Sequence, residues 1–565
     1  MKLRTSFFNP TVFRKDLTRF APTWALYTVG LFMMLVVCTD ASSQYRQAQN
    51  VAATISFMAV INLGYGLLNG QLLFGDLFNA RHCNALHAMP LRRECWFVTH
   101  TVSGLLFSLV PNALFTLAAA AILGSGWMVP FWWFLAVTMQ YVCFFGLAVL
   151  SALCVGNRFA MVLVYGIINF ISLIIYWFYY SIYEPLLHGV FCHQEVFTRF
   201  CPIWTIAENS YDMLLINQTV GTNVVRTVEI GVGWGYLAIC AAIGVAMLGL
   251  ALALYRRRKL ESAGDFMAVR PLEPVFLGLY TLSMAAFFQM FADLFEQSEY
   301  FFLGLGIVIG FFTGLMLIRR TIRVFQPRSI IACVLVGVVF AGSLLLTKID
   351  PLGVTRHVPK AEQVEGVYLD TWRRDPDQLM EEGYFFNTPE DVEQMIRIHQ
   401  AVLDQQQELD DYYTGLCLTY KLKNGKVIQR YYPDVAAGSD AGELAAPFLN
   451  NTAFILGGEP EEILKHIEYM TYYGFEDDYE YGSIDLPVNM RRDLMQAIVA
   501  DCNAGRMAQH PGYRDGSWDI GCVEFAWEDE EGRWNYRNIT IFSDSYYTLR
   551  YLNDTVYPWL EVNSY

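Results

Sequence analysis

Nine long apolar runs, none holding an Asp, Glu, Lys or Arg, precede a polar and acidic stretch of about 200 residues. A bilayer span takes about 20 predominantly apolar residues. The qualifying runs are Trp24–Cys38, Ala53–Phe74, Trp96–Leu123, Val129–Cys154, Ala160–Tyr180, Gly231–Leu254, Pro274–Phe291, Phe301–Ile318 and Ile330–Leu346. The pattern predicts a polytopic α-helical membrane protein of about nine spans, followed by a soluble α+β domain. The first run lacks a small-residue cleavage site and reads as a retained span.

Charge divides the chain at the same place. From Lys348 onward there are 18 basic and 39 acidic residues; before it there are 21 and 15. Cytoplasmic loops are enriched in Lys and Arg. With the N-terminus inside, the inner segments hold 18 of the 21 basic residues and the outer loops only Arg46, Arg199 and Arg226. Nine spans then place the tail outside the cell, with the chain in the plasma membrane and its N-terminus in the cytoplasm. The expected divisions are residues 1–23, an interfacial helix; 24–254, six spans; 255–347, three more; 348–366, a linker; and 367–565, an extracytoplasmic domain.

Asn9-Pro10 opens the interfacial helix, Asn as cap and Pro in the first turn. Val12, Phe13, Leu17 and Phe20 share one face; Arg14, Lys15 and Arg19 populate the other. The segment reads either as a helix lying on the membrane surface or as an ordinary basic flank. Between the second and third spans, Leu77 to Met89 reads as a short helix stopped by Pro90. With Leu86 and Met89 exposed beside Arg92 and Arg93, it is either a docking knob for a cytosolic partner or a solvated loop. In the outer loop, Cys192 and Cys201 are a candidate disulfide. His188, Cys192, His193 and Cys201, like His82, Cys83 and His87, match no standard zinc spacing. No metal and no cofactor is expected. Gly306, Gly310 and Gly314 repeat at four-residue spacing and predict close helix packing.

In the tail, Thr388-Pro389-Glu390 starts a helix with Val392, Met395, Ile396 and His399 on one stripe. Asn424-Gly425 turns a hairpin. Glu459–Met470 and Met490–Ala504 read as helices, and residues 522–542 as a second hairpin. The acids Glu476, Asp477 and Asp478 read as a solvated face. The tail's aromatic and carboxylate surface reads as solvated, or as suited to a cationic peptide or a sugar polymer.

No G-x-x-x-x-G-K-[ST], G-x-S-x-G, H-E-x-x-H or Rossmann glycine pattern occurs, so no catalytic residue is assigned. Polar residues inside the spans are few: Asn62, Asn69, Gln71, His100, Asn112, Gln140, Asn169 and Gln289. Intramembrane acids usually mark ion coupling. In their absence, transport would draw its energy from a partner.

The layout resembles the permease subunit of bacterial ABC-2 type transporters. The resemblance rests on the basic interfacial helix, two spans, the inner L-H-A-M-P-L-R-R-E, a long outer loop before the sixth span and the inner YRRRKLESAGD after it. It covers residues 1–347. It implies that Leu86, His87, Met89, Pro90, Leu91, Arg92, Arg93 and Glu94 form the loop that couples to an ATPase. It also implies a cytosolic ABC ATPase partner and a second permease chain, identical or paralogous; no nucleic acid partner is implied. Three extra spans and an external domain depart from the usual six-span plan, and are shared with Gram-positive relatives linked to cell-envelope antibiotic response. The implied function is an exporter driven by a separate ATPase. The alternative is a membrane sensor or scaffold whose external domain binds an envelope ligand.

Overall fold

The computed structural model describes residues 7–39, 44–122, 127–209, 216–220, 223–227, 233–294, 298–376, 379–380, 383–404, 413–436, 438–474, 482–507, 519–528 and 534–558. Glu476, Asp477 and Asp478 lie outside the described residues. The chain forms two compact units. The first holds Met1–Ser181 and Gln194–Ser343; the second holds Ile182–His193 and Leu344–Tyr565.

Nine helices among the described residues are long and apolar enough to cross a membrane, all in the first unit but for the last turns of the fifth and ninth: Ala21–Cys38, Asn50–Leu73, Arg93–Ile122, Met128–Cys154, Arg158–Leu186, Trp234–Arg257, Arg270–Ala292, Tyr300–Arg319 and Pro327–Ile349. Within the described residues, each of the nine expected runs is helical over nearly all of its length. Without water between helices, association rests on close packing and hydrogen bonds. The fourth span is the hub, lying against the second, third, fifth and sixth. Gly146 and Gly244 let the fourth and sixth spans touch backbone to backbone, since a Cβ on either would strike the other helix. Between the fifth and sixth of these helices, a hairpin pairs β1 (Ile216–Val220) with β2 (Asn223–Thr227).

Several of the polar side chains in the spans join neighbouring helices. Asn62 Nδ2 donates to Val137 O (3.2 Å) and Gln140 Oε1 (3.3 Å), and Gln140 Nε2 donates to Ile55 O at 3.1 Å. Asn69 Nδ2 donates to Tyr141 Oη (2.8 Å), which donates to Gly104 O (2.8 Å). Tyr27 Oη donates to Asn112 Oδ1 at 2.9 Å and its ring stacks on Tyr65 at 4.2 Å. Pro111 lies inside the third span. Lacking an N–H, it cannot serve the Phe107 carbonyl one turn back. Tyr65 Oη donates to that carbonyl at 3.0 Å instead.

The glycine stripe packs as expected. A Cβ at Gly306 would lie 2.7 Å from Ala285 Cα, at Gly310 2.8 Å from Met284 Cβ, and at Gly314 2.8 Å from Leu277 Cδ1. Gly306, Gly310 and Gly314 therefore seat the eighth span on the seventh. The ninth is only 6% buried along its most apolar stretch.

Among its described residues, the second unit holds two four-stranded antiparallel sheets. One is ordered β4-β3-β5-β6, from β3 (Val364–Asp370), β4 (Phe385–Phe386), β5 (Tyr413–Leu422) and β6 (Val427–Ala436). The other is ordered β8-β7-β9-β10, from β7 (Ile467–Gly474), β8 (Gly482–Asp485), β9 (Asp519–Glu528) and β10 (Trp534–Phe542). Each has a 16-residue helix between its second and third strands, Pro389–Asp404 and Val488–Asn503. The tail is thus a tandem repeat of one strand-strand-helix-strand-strand plan. Both expected hairpins form, the first turning at Gly425 (φ +79°). The helix expected over Glu459–Met470 ends at His466, and β7 begins at Ile467. From there the run is rich in β-branched and aromatic residues, which favours a pleated strand over a continued helix. The expected linker is shorter too, because β3 starts at Val364, already buried.

Candidate functional site

The loop joining the second and third spans is built in two pieces. Gly75–Phe78 makes a 3₁₀ turn, and Asn79 then caps a short helix, Ala80–His87, its Oδ1 accepting from Arg81 N at 2.9 Å. The single helix expected from Leu77 to Met89 is therefore broken at Asn79. Cys83 and Leu86, one turn apart, face inward. Leu86 is only 8% exposed, which corrects the expectation of an exposed knob there. The surface is made instead by Arg81, His82, Asn84, Ala85, Ala88, Met89, Pro90 and Arg92, with Met89 46% exposed. Leu91 is half-buried in the turn that leads to the third span.

Beneath that surface the loop is clamped. His87 Nδ1 lies 2.8 Å from Cys83 O, and a carbonyl can only accept, so Nδ1 carries the proton. His87 Nε2 then accepts from Tyr255 Oη at 3.1 Å. Burial, with Arg93 and Arg258 nearby, lowers the His87 pKa and keeps the ring neutral. Arg93 Nη1 donates to Arg258 O at 2.9 Å, and Glu94 pairs with Arg256 at 3.2 Å. The expected pair of basic residues is thus divided: Arg92 is exposed, whereas Arg93 holds the loop to the sixth span.

Arg258 is the centre of the clamp. It donates to Ala152 O (3.0 Å), Leu153 O (3.1 Å) and Leu77 O (3.3 Å). The first two are unpaired carbonyls at the C-terminal end of the fourth span, where a cation also meets the negative end of the helix dipole. Burial lowers the Arg258 pKa, but no guanidinium loses its charge in this range. The loop between the fourth and fifth spans joins in. Gly264 N donates to Gly156 O and Ala268 N to Cys154 O, both at 2.8 Å. Gly156 must be glycine there, since a Cβ would strike the Ser262 and Asp265 carbonyls. All three loops expected on the inner side up to the seventh span therefore meet.

The N-terminal helix, Pro10–Arg19, is capped by Asn9, as expected. It carries one buried acid that the sequence did not flag. Asp16 accepts from Ser103 Oγ at 2.9 Å and lies 2.8 Å from His100 Nδ1, so the helix is stapled to the third span. Asp76 adds longer contacts to Arg19 (3.6 Å) and His82 (3.5 Å).

The candidate disulfide is not formed, and both thiols are free. Cys201 is buried and donates to Asn169 O at 3.3 Å, while the Cys192 carbonyl accepts from Arg373 at 2.9 Å. Of the grouped histidines, His193 faces Gln429 Oε1 (2.6 Å) and His188 lies against the Tyr432 ring. Comparison with known proteins found no matching family model, no matching curated protein and no matching solved structure.

Proposed function

We propose that this chain is the membrane subunit of an ABC-2 type transporter, an exporter linked to cell-envelope or antibiotic stress and powered by a separate cytosolic ATPase. The observation that carries the reading is the clamp. A short helix with an exposed polar and methionine-proline surface is fixed through Arg93, His87, Tyr255 and Arg258 to the ends of the fourth and sixth spans. Such a rigid lever would carry a push from a bound protein into those spans. Exposed Arg92 and Arg81 suit an acidic groove on the partner. A second permease chain, identical or paralogous, would complete the path.

The charge asymmetry supports placing this face in the cytoplasm and the tail outside the cell. The second unit adds a parity argument. Residues 182–193 and the tail fold together, and four apolar helices lie between them in sequence. An even number of crossings returns the chain to the same side, so the two segments agree with four complete spans.

The test is recovery of the ATPase with tagged permease from native membranes. Arg92→Glu should reduce recovery at least several-fold while leaving the permease folded. Arg93→Glu should instead loosen the loop. Undiminished ATPase recovery with Arg92→Glu, Met89→Asp and their double variant contradicts the docking role. A sensor reading retains one supporting observation, the attachment of residues 182–193 to the tail.

A further inference from the structure

The fifth apolar helix runs straight into a segment of the second unit. Its last turns widen into a π-helical turn, Tyr179–Tyr183, and residues 182–193 then lie along the first tail sheet. Arg373 grips this segment at three points. It makes a two-pronged pair with Glu184 (2.7 and 3.3 Å), donates to Cys192 O (2.9 Å), and lies 4.0 Å from the Phe191 ring centroid. The carbonyl of Gly189 accepts from Tyr431 N (3.1 Å) in β6, the edge strand. Gly189 has φ +74°, and a Cβ there would run into the Tyr432 ring. Tyr432 Oη in turn lies 2.8 Å from buried His399 Nε2. Contacts therefore run without a break from the segment to the core of the first repeat.

The second repeat is an internal control. It has the same plan and buries its own core, including Val523, Phe525, Ile539 and Ile541. On β10, the counterpart of β6, Trp534 and Tyr536 lie on the face turned away from that core and are 49% and 58% exposed, whereas the outward aromatic of β6, Tyr431, is half-buried with its ring near Phe191. One copy of the plan thus closes its core with its edge strand's aromatics open to solvent. The segment over the other copy is an addition, and it is covalently continuous with a span.

We propose that residues 182–193 are a coupling strap, passing a change at the β6 edge of the tail to the end of the fifth span, and the reverse. The strap begins as a 3₁₀ turn, Glu184–Leu186, turns again at Gly189 and covers part of the β6 edge, where sheet edges otherwise meet water. Its release would free Tyr431 and Tyr432 and unload Tyr179–Tyr183 in one event. This inference does not depend on the transport reading.

The experiment is hydrogen exchange on the full-length protein in detergent micelles, comparing the unsubstituted chain with Arg373→Ala, Gly189→Ala and the control Tyr536→Ala. Both strap variants should speed exchange about tenfold or more in residues 182–193, in β6 and in residues 176–183, with β7–β10 unchanged. Tyr536→Ala should move none of these. Gly189→Ala removes no side-chain contact, so it keeps the test open should Arg373→Ala unfold. The proposal fails if the strap stays protected. It fails equally if faster exchange stops short of residues 176–183, or if β7–β10 exchange rises together with the strap in both variants.

Discussion

His399 should make the tail acid-sensitive. Its ring is buried between two tyrosines, with Nδ1 3.0 Å from Tyr420 Oη and Nε2 2.8 Å from Tyr432 Oη. Tyr420 Oη donates to Met395 O at 3.4 Å, so it accepts from Nδ1–H, and Nε2 accepts from Tyr432. Protonation would force Tyr432 to turn and would bury a charge near Arg430. Burial first, then Arg430 and His357, push the pKa from 6.5 to about 4. The unfolded chain therefore binds the proton more readily between those values, and stability is lost as pH falls through that window. At about 1.4 kcal/mol per pH unit, the loss by pH 4 is about 3 kcal/mol. Carboxylates titrate nearby, so the assay is a difference. The stability of the first repeat, from exchange of β5 and β6 amides, is compared between the unsubstituted chain and His399→Gln at pH 7 and pH 4. The advantage of the unsubstituted chain should shrink by about 3 kcal/mol on acidification. A difference that does not change with pH refutes the buried neutral histidine.

Tyr65→Phe should cost about 1 kcal/mol by stripping the Phe107 carbonyl of its donor. The cost should largely vanish in a Pro111→Ala background, where the helix supplies its own N–H; an equal cost in both backgrounds counts against this pairing. Gly310→Leu should separate the seventh and eighth spans and destabilise by about 1–3 kcal/mol, read as a lower melting temperature in micelles. Arg258→Met leaves three carbonyls without their donor and should weaken the clamp by on the order of 3 kcal/mol. Trypsin should then cut after Arg81 and Arg92 faster, whereas unchanged cleavage would show the loop holds without it.

What the sequence made legible followed from periodicity and from local signals. The nine helices, the Asn9 cap, the glycine stripe and both tail hairpins depend on residues near one another in the chain. What it hid depends on distance. Leu86 looked exposed because Met89 and the arginines beside it are, yet it faces a pocket lined by Phe74, Leu77, Phe97, His100 and Tyr255, from three different spans and their ends. Arg258 sat within a basic run that the positive-inside pattern explains equally well, and nothing local marks it as the cap of another helix. Asp16 lay on the apolar face of a short helix, and its partners are in the third span. Glu184 and Arg373 are 189 residues apart. The tail's duplication is likewise invisible in residue patterns, because the two copies share strand order rather than motif. Asn79 was the one missed signal within reach: an N-cap residue in mid-loop marks a helix start.

The most direct measurement is two-sided thiol labelling of single cysteines in intact cells, one at Arg92→Cys and one at Tyr536→Cys, on a background whose native cysteines have been screened for reactivity. A membrane-impermeant maleimide should label position 536 from outside and reach position 92 only after the membrane is opened. Labelling of both from the same side, or of position 92 alone from outside, would contradict an inner docking face opposed to an external tail.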